Sequence, residues 1–354
     1  MTVVNDKMAV QGADKLQFEL LDKSLNCPAD DQREWWQRTG PLLASLMTSA
    51  GYTNESQRQH LMLFYTSVVP YLGPYPQKFP SAMTHNELPP GTQHQFSTSK
   101  LQQKNESIRE LSQVAFGFDL KPDKISVKGY TFPGLKCHLT GKDMCSVVTE
   151  SIQEYLGDAD RYNTIGLMKE YIETTEARAN FGFVYSHDCT TPEKSRHKVY
   201  GRTKDMSWNQ VQEIWDFGGR IDSPESSKGL GYLQRLWELL EIGHGPHPLG
   251  LHLVWNYETK AGMKVPATKI YFPVYGLNDQ KNVHAISQYL KEIGLDIHGN
   301  EYERAVRDLF PGFDIQQTDR LICWVSFAYT EKTGVYLSVY YHSSLEYPWL
   351  EKNP

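Results

Sequence analysis

Apolar positions along the chain fall into two textures. Residues 35–50 (WWQRTGPLLASLMTSA) and 55–72 (ESQRQHLMLFYTSVVPYL) carry them three and four apart, the spacing of a helix with one buried face. Gly51 stands between the two as a stop, and Asn54 is the expected N-cap of the second. After Pro70, Pro74 and Pro76 the pattern changes to short strand-like runs that come in pairs. A run at 95–100 is followed by 114–120 with 124–132, 180–187 with 195–200, 251–258 with 268–274, and 321–329 with 335–342. Helical stretches are expected between the later pairs, at 207–217, 229–242, 282–294 and 301–309.

The second strand of each pair shares a signature. Lys128-Gly129-Tyr130, Lys198-Val199-Tyr200 and Lys269-Ile270-Tyr271 are all Lys-x-Tyr, at spacings of 198 − 128 = 70 and 269 − 198 = 71; a further 71 reaches Tyr340 in Ser338-Val339-Tyr340. The chain therefore repeats about every 70 residues, each unit a strand pair followed by helices. Side chains alternate along a strand, so Lys and Tyr two apart share a face. Arg196 joins Lys198 and Tyr200 on one face, and Tyr336, Ser338, Tyr340 and His342 share another. Helices over the apolar face leave the cationic, aromatic face to surround something anionic, and repeated antiparallel pairs can close into a barrel without edges. The first repeat is short. Only residues 101–113 separate the run at 95–100 from the next strand, so this repeat is either degenerate or lacks a segment near 103–107.

Length and charge narrow the class. With 354 residues and about 150 per domain as a prior, two ordinary domains or one large closed architecture fit. A net charge of −6 without a long Lys/Arg run leaves no electrostatic footprint for nucleic acid. No apolar stretch is long enough to span a membrane, and the N-terminus lacks a signal-peptide layout. Five scattered cysteines without a CxxC pair read as reduced thiols, so the expected location is cytoplasmic. Aromatic residues are plentiful: 21 tyrosines, 14 phenylalanines and 8 tryptophans.

Lys128, Arg196, Lys198 and Lys269 on one concave surface would hold an anion, Arg by its bidentate fork and Lys by compact charge. Tyrosines beside them offer hydroxyls and π-faces for a cation. Together they suit an allylic diphosphate, whose anionic leaving group departs from a carbon that becomes positive. Metal could neutralise the diphosphate instead, but the only adjacent aspartates are Asp30-Asp31 and there is no DDxxD. His244, His247 and His252 in GHGPHPLGLH are broken by Gly and Pro and read as a turn entering a strand. Walker A, GxGxxG and GxSxG motifs are absent.

The stretches DCTTPEKSRHKVY, VKGYTFPGLK, GPHPLGLHLVWNYE and SFAYTEKTGVYLSVYYH resemble fungal indole prenyltransferases of the dimethylallyltryptophan synthase family, over residues 35–342. That resemblance implies an α+β fold, the ABBA barrel: αββα repeats giving about ten antiparallel strands inside a ring of helices. The whole chain, 1–354, would form this single domain, with its first repeat shortened near 101–113. The implied activity is metal-independent transfer of a dimethylallyl group from its diphosphate to a tryptophan-derived indole in alkaloid biosynthesis. Dimethylallyl diphosphate would be a co-substrate, no cofactor or metal is implied, and a homodimer is left open. Carried over by position, Lys128, Arg196, Lys198 and Lys269 bind the diphosphate. Tyr130, Tyr200, Tyr271, Tyr329 and Tyr340 form the shield around the allyl cation, and Gln95 and Lys128 hold the catalytic positions.

Two departures matter. Family members place a Glu in the first strand to accept the indole N–H, where this chain has Gln95. A glutamine carbonyl still accepts that bond but is a weak base. The next strand, where family members carry a further diphosphate-binding Arg, is not found here, with Arg109 and Lys104 candidates only if the shortened region rebuilds it. Two alternatives therefore stand beside indole prenylation: a phenolic or xanthone-type acceptor, and an impaired homologue that binds prenyl diphosphate or indoles without turnover.

Overall fold

The computed structural model describes residues 16–73, 75, 114–157, 162–174, 181–243, 245–311 and 314–341. Helices α1 (Leu16–Asp22), α2 (Asp30–Ser49) and α3 (Asn54–Ser67) come first, ending in a short 3₁₀ turn, Val69–Tyr71, that contains Pro70. Eight strands follow: β1 (Val114–Leu120), β2 (Ile125–Thr131), β3 (Phe181–Asp188), β4 (His197–Thr203), β5 (Leu253–Thr259), β6 (Ala267–Pro273), β7 (Ile322–Thr330) and β8 (Gly334–Tyr341). They form one antiparallel sheet in sequence order. Helices α4 (Gly134–Thr140), α5 (Met144–Leu156) and α6 (Thr164–Glu173) follow the first pair, α7 (Trp208–Asp216) and α8 (Pro224–Leu239) the second, and α9 (Asp279–Glu292) and α10 (Asp296–Leu309) the third.

The αββα order and the α+β class agree with the sequence reading; the described strands number eight, where about ten were expected. The strand expected at 95–100 lies outside the described residues. The two N-terminal helices, all four later pairs and four later helices stand close to their expected places, but α4, α5 and α6 went unread. The cap of α3 is Thr53, whose side chain accepts from the Ser56 N–H, rather than Asn54, which is already helical.

Facing follows the alternation of the sequence. Trp255, Tyr257, Ile270, Phe272, Val325 and Phe327 point outward and are fully buried against the helices. Two polar ends in this layer find partners: the Tyr257 hydroxyl donates to the Ile214 carbonyl at 3.0 Å and Thr268 to the Trp215 carbonyl at 3.2 Å. Gly201 pairs with Trp255 across β4 and β5, and a Cβ there would lie 2.3 Å from the indole ring. Only glycine lets the ring pack against the strand. The fully buried Asp279 fixes the last unit, accepting backbone N–H bonds from Arg320, Leu321 and Ile322, each at 3.0 Å. It ties the start of α9 to the entry of β7.

Candidate active site

The inward faces of β2, β4, β5 and β6 build a ranked set of charges. Register places Lys128 opposite Asp188, Lys198 between Ser186 and Glu258, and Asn256 between Tyr200 and Lys269. Arg196 donates from Nε and Nη2 to the two oxygens of Asp188, at 2.7 and 3.1 Å. Lys198 Nζ lies 3.0 Å from Glu258 Oε2, and Arg196 Nη1 lies 3.7 Å from the same oxygen. Lys128 Nζ pairs with Asp119 of β1 at 2.6 Å. Lys269 sits among aromatic rings, 4.5 Å from the centroid of Tyr336 and 5.2 Å from that of Tyr271, within cation–π range.

Tyrosines continue the same face. The rings of Tyr200 and Tyr271 are 6.3 Å apart, and those of Tyr271 and Tyr340 6.1 Å. Asn256, itself buried, donates from Nδ2 to the Tyr271 hydroxyl at 2.8 Å. Tyr130 of β2 and Tyr340 of β8 interact electrostatically, so the sheet curls far enough to bring its two ends onto one lumen.

Burial raises the phenol of Tyr130, lifts those of Tyr200 and Tyr340 to about 12, and pushes that of Tyr271 still higher. These rings stay neutral, as a cation shield made of π-faces requires. Burial, then the charges of Lys198 and Lys128, pulls the Lys269 ammonium down to about 7. Burial alone would raise the Asp188 carboxyl, but its two bonds from Arg196 outweigh that and hold it below the ordinary range.

Lys128, Arg196, Lys198 and Lys269 thus converge as the sequence reading expected, with Tyr130, Tyr200, Tyr271 and Tyr340 beside them. Tyr329 does not join them. It pairs with the outward-facing Val335, and its ring lies 5.5 Å from that of Tyr232 in the helical layer. Strand parity decides this: the inward residues of β8, Tyr336 and Tyr340, lie opposite Ala328 and Trp324. Gln95, Lys104 and Arg109 lie outside the described residues. Asp119, Asp188, Glu258, Asn256 and Tyr336 went unread as site residues. Tyr336 was on the right face of its strand, whereas Asp188 and Glu258 needed the pairing register to be seen opposite Lys128 and Lys198. Of the three histidines weighed as ligands, His247 accepts the Leu249 N–H at Nδ1 and shapes the turn. Among the described residues no group of three His, Cys, Asp or Glu could hold a metal ion.

The family model for tryptophan dimethylallyltransferase matches residues 31–109 and 91–305. The chain belongs to the tryptophan dimethylallyltransferase family. Prenyltransferase phqI of Penicillium fellutanum is 35% identical over 94% of this chain and 93% of its own length. Deoxybrevianamide E synthase notF of Aspergillus sp. (strain MF297-2) is 30% identical over 92% and 90%. A solved structure of NotF in complex with brevianamide F and DMSPP superposes with a TM-score of 0.81 at 29% identity, covering 93% of this chain and 99% of that one. This member of the tryptophan dimethylallyltransferase family carries an internal gap. Its alignment with phqI runs over 433 positions and takes in 94% of the 354 residues, about 333, so about 433 − 333 = 100 positions of the relative have no counterpart here. The two matched stretches of the family model share residues 91–109, next to the short first repeat.

Proposed function

We propose that this chain transfers a dimethylallyl group from dimethylallyl diphosphate to an indole-containing small molecule by electrophilic aromatic substitution, without a metal. The observation that carries this reading is one continuous lumenal surface on which four cations adjoin a stack of neutral tyrosines. The cations take the diphosphate as the C–O bond breaks and its electron pair leaves with the oxygen. Tyr200, Tyr271 and Tyr340 face the allylic cation and keep water from it. An indole carbon then attacks, forming the C–C bond, and the arenium ion loses its ring proton. The departing diphosphate, held on the same face by Lys128 beside Asp119, is the base placed to take that proton. Charge neutralisation by Lys and Arg supports a metal-free step, and the bound pair in NotF supports an aromatic acceptor beside the donor.

No described helix is long and apolar enough to cross a membrane, and all five cysteines are free thiols, in keeping with a cytoplasmic enzyme. Incubation with dimethylallyl diphosphate, EDTA and a panel of tryptophan, tryptophan-containing cyclic dipeptides and simple phenols, read by mass spectrometry, tests the proposal. Prenylated indole formed in EDTA is the expected result; product only after Mg²⁺ is restored overturns the metal-free step. If Gln95 accepts the indole N–H, Gln95→Glu raises indole turnover roughly tenfold or more, since an ionised acceptor bonds about twice as strongly. A second reading, binding without turnover, is favoured by the gap in the first repeat, and donor binding with no product from any acceptor would select it.

A further inference from the structure

The cationic seat holds two carboxylates that do different jobs. Asp188 grips the Arg196 guanidinium along its Nε–Nη2 edge with two hydrogen bonds, 2.7 and 3.1 Å, leaving Nη1 turned toward the lumen. Such two-point pairing fixes the plane of the fork as well as its charge. Glu258 makes no comparable grip. One of its oxygens stands 3.0 Å from Lys198 Nζ and 3.7 Å from Arg196 Nη1, the second too long for a hydrogen bond. A single anionic oxygen between those two cations occupies the position that a diphosphate oxygen would take. The side chain is 22% exposed, so water can receive it when it leaves.

We infer that Asp188 is a fixed clamp that presents the Arg196 fork, whereas Glu258 is a displaceable internal counter-anion. Before the donor arrives, Glu258 pairs with Lys198 and Arg196. Diphosphate displaces it, and after prenyl transfer Glu258 re-pairs with them and helps the product diphosphate to leave. Both are positioning residues: neither touches the reacting carbon. The inference rests on the reading of this surface as the diphosphate seat.

The two roles predict opposite signs, which simple electrostatics does not. Removing either negative charge from an anion site should tighten anion binding if charge alone matters. Calorimetric titration of inorganic diphosphate into the full chain should instead show Glu258→Gln binding about tenfold tighter and Asp188→Asn about tenfold weaker, the scale of one charge-assisted contact. In steady-state turnover, Glu258→Gln should lower both KM for the donor and kcat, with a first-turnover burst as release becomes limiting. Asp188→Asn should raise KM more than it lowers kcat. Tighter binding in both variants reduces Asp188 to a counter-charge and overturns the clamp. Weaker or unchanged binding in Glu258→Gln overturns the displacement. If Asp188→Asn fails to fold, Asp188→Glu keeps the charge but moves it by one methylene and should still weaken binding; unaltered binding there overturns the clamp as well. A wild-type chain that ignores diphosphate, with Lys198→Ala no different, refutes the seat itself rather than this division of labour.

Discussion

Along β4, His197 and Val199 face the helices with no exposed surface, while Lys198 and Tyr200 face the lumen one residue away. The two faces are held by different physics. The outer face is a close-packed layer in which Gly201 makes room for Trp255, so volume decides what is tolerated. The inner face keeps four cations near three carboxylates and buries Lys269 at a cost in folding free energy. Stability is made on one side of a strand and part of it is given up for chemistry on the other.

Substitutions can break that comparison. Trp255→Ala, on the outer face, should lose about 3–5 kcal/mol of stability, read as a fall in denaturation midpoint, with diphosphate affinity per folded molecule unchanged. Arg196→Leu, on the inner face, should act chiefly on binding. Loss of one charge-assisted contact of about 1.5–3 kcal/mol weakens inorganic diphosphate roughly tenfold to hundredfold, while the thermal midpoint falls by less than in Trp255→Ala, through the two bonds that the part-buried Asp188 loses. A large drop in midpoint for Arg196→Leu would mean that the inner face is structural too.

Acidity sharpens the contrast. Above about pH 7 the folded chain holds Lys269 neutral whereas an unfolded chain keeps it protonated to about 10.5. Unfolding therefore takes up a proton, and this lysine makes stability rise with pH across that window. Diphosphate favours the charged form, so donor affinity falls by up to about tenfold per pH unit above 7. Titration at pH 8 in buffers of different ionisation heat should show uptake approaching one proton, absent in Lys269→Met. The smallest effect belongs to Tyr329→Phe, which should leave turnover within about twofold because an outward side chain only repacks. A drop comparable to that of Tyr340→Phe would return Tyr329 to the shield.

Much of this arrangement was legible in the chain. A 70-residue spacing of Lys-x-Tyr reveals which residues share a face without any knowledge of which strands are neighbours. It placed Lys128, Lys198, Lys269, Tyr130, Tyr200 and Tyr271 correctly, because alternation is a local property. The carboxylates were not legible for the converse reason. Asp188 meets Lys128 and Glu258 meets Lys198 through pairing between strands, which spacing within one strand does not encode. Tyr329 came with the family resemblance rather than from strand alternation, and the pairing of β7 with β8 sets it opposite the outward Val335. Of helices α4 to α6, which went unread, α5 (MCSVVTESIQEYL) does carry a helical signal, burying Cys145, Val148, Ile152 and Leu156 three and four apart.

The residue-by-residue facing of β4 also governs how this protein can change in length. Deleting one residue between His197 and Thr203 would turn the remainder of the strand over, sending Tyr200 into the helical layer and Val199 or Gly201 into the lumen. Removing a whole strand pair with its helices leaves the facing of every other strand as it was. Length is therefore frozen within a unit and free to vary between units. The roughly 100 positions of phqI without a counterpart here are a difference on the scale of units of about 70 residues, not of single residues. Lineages with this architecture should differ by insertions in turns and by near-whole repeats, and hardly ever by single residues inside a strand.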